Sequence, residues 1–429
     1  MTARLITPAR GPVSSTVRVP GSRSITNRAL VLGALADGRT LIEGALWSDD
    51  TLLMARGLRA LGVAVEEDAR SERFVVLGQG GRIPAAEAAI DAGNAGTVAR
   101  FLTAVAALGR GRYVIDGTPR MRERPIQDLV IALRALGVEV TAPSGCPPVV
   151  VHARGLPGGR TAVRGDVSSQ FLSALLLVAP LAASPVEIAV EGEVVAAPYV
   201  DLTIGLMEAF GVTVERDGYR WFRLSPQRYD PRAFQVEPDA SSASYFFAAA
   251  AVTGGRVTVP GLGRDSLQGD LRFLDVLQAM GCEVRWTENG VEVRGPKRLR
   301  GVDVDLNPMS DMTMTLVAIA PFAEGPVGIR NVAHIRRQES DRLSAVATEL
   351  RRLGQEVRER EDGLEIIPRP VRPAVVQTYG DHRIAMAFAV AGLRTEGIAI
   401  ADPASVSKTF PDFFDRLDAL TSSGSQQVS

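Results

Sequence analysis

The chain has 429 residues, of which 46% are hydrophobic and 23% charged, and a formal net charge of −1. By length it holds two or three domain equivalents with ample material for packed cores. A near-neutral balance gives no bulk basic field for nucleic acid or an anionic membrane, so neither is expected as a partner.

Read in chain order, one pattern returns six times: an Ala/Leu-rich stretch, a Gly- or Pro-marked turn, then a short β-branched run. It reads NRALVLGALADGRTLIEG from Asn27 and ARFLTAVAALGRGRYVIDG from Ala99. It returns as QFLSALLLVAPLAASPVEIAVEG from Gln170 and ASYFFAAAAVTGGRVTVPG from Ala243. The last copies are MTLVAIAPFAEGPVGIRN from Met314 and RIAMAFAVAGLRTEGIAIAD from Arg383. Between copies lies a second helix stopped by a glycine and followed by a strand. It is LRALGVAV at Gly62, LRALGVEV at Gly137, LMEAFGVTV at Gly211, LQAMGCEV at Gly281 and LRRLGQEV at Gly354. A C-terminal glycine with positive φ is the expected stop, and neither helix can bury its apolar face alone. Six units exceed one core, which stops growing beyond about 250–300 residues. Two domains of three units are expected, dividing near Pro238-Asp239.

The most apolar run, Phe171 to Ala183, contains Pro180 and falls short of the roughly 20 residues of a membrane span; it reads as a buried helix. The N-terminus shows no apolar core of a signal peptide. Cys146 and Cys282 form no disulfide framework, metal cluster or CxxC pair, and a reducing cytoplasm is the expected setting. The polar tail from Thr421 is expected to be disordered.

Polar residues cluster just before the Ala-rich helices. They are Gly21-Ser22-Arg23-Ser24 with Arg28, Gly93-Asn94-Ala95-Gly96-Thr97 with Arg100, and Ser168-Ser169-Gln170. Then come Asp239-Ala240-Ser241-Ser242, Ser310-Asp311 and Asp381-His382-Arg383. Any one of these is an ordinary N-cap. Six together, several richer in polar groups than capping needs, suggest helix N-termini gathered to bind phosphate or carboxylate. Arginines 23, 28, 124, 342 and 383 and Lys408 strengthen the expectation of small, strongly anionic substrates. Lys297 and Lys408 are the only lysines, leaving 46 of the 48 basic residues as arginine.

The motifs PGSRSITNRAL, GNAGTVARFL, PRMRERPI, SSQFLSALL, PYVDLT, DASSASYF, SDMTMT, RQESDRL, YGDHRIAMAF and SKTFPDFF resemble, in order and spacing, the enolpyruvyl transferase family of EPSP synthase. The resemblance implies an α/β fold of the inside-out barrel-like kind, with six βαβαββ repeats, three per domain. One domain would comprise residues 1–19 and 239–429, the other 20–238, with the active site in the cleft between them. It implies transfer of the enolpyruvyl group of phosphoenolpyruvate (PEP) to the 5-hydroxyl of shikimate 3-phosphate, with no metal or organic cofactor; a monomer is expected, with small anionic substrates as its partners. Asp311 matches the family's base and Glu339 its acid, and Arg23 completes the expected catalytic set. Arg23, Gly96, Arg124, Gln170, Arg342, Arg383 and Lys408 match the PEP site. Arg23, Ser24, Arg28, Ser168, Ser169, Gln170, Asp311, His334 and Gln338 match the acceptor site.

Four positions depart from the family's pattern. Arg23 stands for a lysine that touches both substrates, Ala196 for a serine on the acceptor's phosphate, Gln338 for a lysine on that phosphate, and His334 for a nearby asparagine. The general loss of lysine accounts for Arg23 but not for Gln338, since an arginine bias would supply arginine. His334, Arg336 and Arg337 are the groups expected to compensate. The alternative is a sister carboxyvinyl transferase that uses PEP with a different acceptor alcohol.

Overall fold

The computed structural model describes residues 3–422. By internal contacts the chain divides into two units, Met1–Pro20 with Glu237–Ser429, and Gly21–Val236. Twelve α-helices follow in chain order among the described residues: α1 (Arg23–Leu35), α2 (Asp49–Ala60), α3 (Gly96–Ala106), α4 (Gln127–Ala135), α5 (Ser169–Val178), α6 (Pro198–Ala209), α7 (Ala240–Thr253), α8 (Phe273–Ala279), α9 (Thr313–Ile319), α10 (Arg342–Arg352), α11 (His382–Gly392) and α12 (Phe413–Ser422).

The odd-numbered helices α1 to α11 are the six Ala-rich stretches, and α2, α4, α6, α8 and α10 are the five glycine-stopped second helices. Every residue of α3, α7, α9 and α11 is buried. A helix that is apolar all round belongs in an interior, and alanine lets such helices pack at close range. Pro180 ends α5 early, so the apolar run closes in a 3₁₀ turn, Ala179–Leu181.

The sheets surround these helices. Each four-stranded sheet has one plan, a parallel pair followed by two antiparallel partners. In the unit 21–236, Glu87–Asp91 runs parallel to Arg110–Asp116, which pairs antiparallel with Val149–Arg154, itself paired with Glu139–Thr141. The same plan recurs twice more there and twice in the other unit. The sixth unit is reduced to a three-stranded sheet of Arg4–Leu5, Val375–Val376 and Ala399–Ile400. Each unit therefore carries three sheets with its own helices, the three repeats per unit that the resemblance implies.

Closure of both units comes from far along the chain. Ser14–Thr16 pairs parallel with Arg256–Thr258, and Ala233–Gln235 with Leu41–Glu43. The five stop glycines all have positive φ, between 86° and 103°. The strand expected directly after Gly211 begins only at Glu215, because Gln227 replaces a neighbouring strand at Thr213. Its side chain accepts from the Thr213 amide and donates to the Thr213 carbonyl, both at 2.9 Å. Thr421 and Ser422, expected in the polar tail, close α12 instead; the rest of that tail lies outside the described residues.

Candidate active site

In the unit containing residues 237–429, four helix starts converge. Arg342, the first residue of α10, is 1% exposed. It donates to Asp381 Oδ2 from Nε at 2.7 Å and to Asp311 Oδ1 from Nη1 at 3.0 Å. Its Nη2 also lies 3.1 Å from Glu339 Oε2. Arg383, the second residue of α11, donates to Asp311 Oδ2 at 2.7 Å and to Ser241 Oγ at 3.3 Å. Lys408 Nζ donates to Glu339 Oε1 at 2.9 Å. It is carried on a 3₁₀ turn, Pro403–Lys408, followed by Phe410 and Phe413, which pack against Phe246 of α7 with centroids 5.9 Å apart. The aromatic plug thus fixes the lysine. Asp311, Glu339, Arg342, Arg383 and Lys408, singled out separately in the sequence, form one network.

The cationic side of this network is not in balance with bulk water. Burial alone would lower the Arg342 pKa, but the carboxylates of Asp381, Glu339 and Asp311 raise it far above its ordinary value. Three carboxylates around one guanidinium make a charge cluster held in place before any substrate arrives, which is how preorganised electrostatic sites work.

In the unit 21–236 a second group assembles. α3 begins at Gly96 without a side-chain cap. A Cβ at Gly96 would come within 2.8 Å of both Arg124 Nη2 and Gln170 Oε1, so only glycine lets these side chains meet the start of α3. Arg124, buried at the end of the 121–124 turn, donates to the Asn94 carbonyl at 2.8 Å. Ser168 caps α5 by accepting from the Gln170 amide at 3.3 Å, which aims Gln170. Arg23 Nη1 lies 3.3 Å from Asp50. Arg28 is buried beside Phe101 and donates to Thr203 Oγ1 at 2.8 Å and to the carbonyls of Ser24 and Tyr199. Burial lowers its pKa to about 10, so it stays a cation at neutral pH. Ala196 holds φ 50°, just ahead of α6.

The expected compensation around Gln338 is mostly not available. Burial lowers the His334 pKa to about 4, outweighing the pull of Asp311, so its ring is neutral at physiological pH, and Nε2 sits 2.8 Å from Ser310 Oγ. Arg336 is committed to Asp341, Glu359 and the carbonyls of Arg360 and Glu361. Gln338 Oε1 accepts from Arg342 Nη1. Arg337, exposed, is the cation of this segment that these bonds leave for an incoming anion.

Three members of this network are not among the site residues assigned from the sequence. Asp381 and Ser241 lie in the polar clusters expected at helix starts, without a role of their own. Asp381 caps α11, accepting from the Arg383 amide at 3.0 Å, and is also the bidentate partner of Arg342. Asp270 bonds Ser241 Oγ, and burial, then the charge of Asp311, raise its pKa to about 6. A lone Asp in a 3₁₀ turn, Gly269–Arg272, carries no pattern that could have announced it.

Residues 8–417 match the family model of EPSP synthase (3-phosphoshikimate 1-carboxyvinyltransferase). The chain is 50% identical over 408 residues to the 3-phosphoshikimate 1-carboxyvinyltransferase of Trichormus variabilis, covering 94% of this chain and 96% of that one. It is 48% identical over 430 residues to the chloroplastic enzyme of that name from Arabidopsis thaliana, covering 95% and 83%. An EPSP synthase structure from Acinetobacter baumannii superposes with a TM-score of 0.81 at 26% identity, over 98% of both chains. With the family model and these relatives in agreement, the chain belongs to the EPSP synthase family.

Proposed function

We propose that this enzyme transfers the enolpyruvyl group of PEP to the 5-hydroxyl of shikimate 3-phosphate, releasing phosphate, and that both clusters of anion-binding residues serve that one reaction. The observation that carries the reading is the network of Asp311, Glu339, Arg342, Arg383 and Lys408, two candidate proton-transfer carboxylates held among three cations. Asp311 takes the proton of the attacking hydroxyl as its oxygen bonds to C2 of PEP. Glu339 delivers a proton to C3, giving a tetrahedral intermediate with a methyl group. The elimination reverses the second transfer: C3 returns a proton to Glu339 as the C2–O bond to phosphate breaks, and the hydroxyl proton held by Asp311 leaves with the released phosphate. Guanidinium forks suit both anionic groups of PEP. Arg342, Arg383, Lys408, Arg124, Gln170, the Gly96 amide and Arg23 are the groups we assign to it. Ser24, Arg28, Ser168, Ser169, Gln170 and the segment His334–Gln338 take the acceptor.

Among the described residues no helix is long and apolar enough to cross a membrane. The test is phosphate release from PEP with shikimate 3-phosphate, shikimate and hydroxybenzoates compared. Turnover should be confined to shikimate 3-phosphate. A higher kcat/KM on an unphosphorylated alcohol would instead select the sister carboxyvinyl transferase, a reading that the neutral His334 and the committed Arg336 and Gln338 keep in play.

A further inference from the structure

Arg342 opens α10, and Glu349 follows seven residues later. Two helical turns bring them to the same face. The segment from Gln377 to Asp381 is attached to that face at both ends. At the Asp381 end, Arg342 donates from Nε to Oδ2 at 2.7 Å and from Nη2 to Oδ1 at 3.3 Å. At the other end, the fully buried Glu349 carboxylate accepts from the Gln377 amide at 3.0 Å and from the Tyr379 hydroxyl at 2.8 Å. Arg352 Nε lies 3.3 Å from the same carboxylate on its solvent side.

Between the two attachments the backbone is under strain. Tyr379 has φ 55° and Gly380 φ 67°. Left-handed backbone is ordinary for glycine but uncommon for a tyrosine, and such outliers persist only where the surroundings fix them. Tyr379 is 45% exposed, so core packing does not hold its ring in place; its hydroxyl bond to Glu349 does. The turn closes with the Asp381 amide donating to the Thr378 carbonyl at 2.8 Å. Asp381 then caps α11 and sets the first turn from which Arg383 reaches Asp311.

We propose that Tyr379 and Glu349 are positioning residues for the PEP anion site: their bond holds the left-handed turn that presents Asp381, and through it Arg342 and Arg383, in binding geometry. The proposal rests on the assignment of those two arginines to PEP. Burial, then the Glu349 carboxylate, raise the Tyr379 phenol to about 12, so it remains a donor across the working pH range.

Tyr379→Phe removes the hydroxyl and little else. It should raise the KM for PEP about tenfold, with kcat and the KM for the acceptor changed less than about threefold, as expected when ground-state and transition-state binding fall together. Arg352→Ala removes a Glu349 partner without touching the 377–381 segment and should leave the PEP KM unchanged. Adding Glu349→Gln to Tyr379→Phe should cost less than the two single effects combined, because the pair acts as one unit. An unchanged PEP KM in Tyr379→Phe, or an equal rise in Arg352→Ala, overturns the proposal. PEP affinity measured by calorimetry with acceptor present decides it independently of turnover. A wild-type enzyme without turnover on PEP and shikimate 3-phosphate would instead sink the functional reading.

Discussion

Asp311 accepts from two guanidinium groups, Arg342 at 3.0 Å and Arg383 at 2.7 Å, so its removal would disturb the network as well as the chemistry. Asp311→Asn keeps the shape and is the cleaner test. A positioned base contributes about 100- to 10,000-fold, and kcat in the variant should fall by that much while PEP binding stays measurable; near-normal turnover would strip Asp311 of its role. His334 gives a pH prediction of definite sign. Its folded pKa of about 4 lies below the ordinary 6.5, so the folded state takes up this proton less readily than the unfolded chain. Stability from the neutral ring is fully present above about pH 6.5 and is lost as pH falls through about 4. Asp270, raised to about 6, works in the opposite sense, its contribution being lost as pH rises through that value. His334→Asn should therefore leave stability at pH 7 nearly unchanged and retain roughly 2–3 kcal/mol more than wild type at pH 4. Urea unfolding at both pH values measures this, and parallel losses in the two proteins would exclude His334 as the acid-sensitive group.

At the level of elements, the helices were legible because their signals are local. Each second helix ends where a glycine must take positive φ, and each Ala-rich helix announces a buried position by having no polar face. What could not be read was which strand joins which sheet. Ser14–Thr16 pairs with Arg256–Thr258 across some 240 residues, a choice set by packing, with nothing in the hydrophobic period of either strand to specify it. The delayed strand after Gly211 escaped notice for a similar reason, since a distant Gln227 supplies the missing hydrogen bonds. The glycine stops themselves can be tested at Gly281, with φ 103° and no atom closer than 3.6 Å to a built Cβ. Space is not limiting there, so Gly281→Ala measures backbone strain alone. It should destabilise by about 1–2 kcal/mol and lower Tm by about 2–4 °C per kcal/mol, with kinetic constants unchanged. A neutral result would mean the turn relaxes at no cost.

For the whole molecule, the legible part of the site was the list of cations and carboxylates, which short motifs carry; the illegible part was their wiring. Asp381, Ser241 and Asp270 enter only once three helix starts are brought side by side, which no one-dimensional pattern encodes. Asp311, Glu339, Arg342, Arg383 and Lys408 belong to one unit, and Gly96, Arg124 and Gln170 to the other. If both groups serve PEP, as proposed, Arg124→Ala and Arg383→Ala should each weaken PEP binding about tenfold or more, the cost of losing a charge-assisted contact. Calorimetry with shikimate 3-phosphate present measures this. If either variant binds PEP as tightly as wild type, that group does not act on PEP and needs a different ligand.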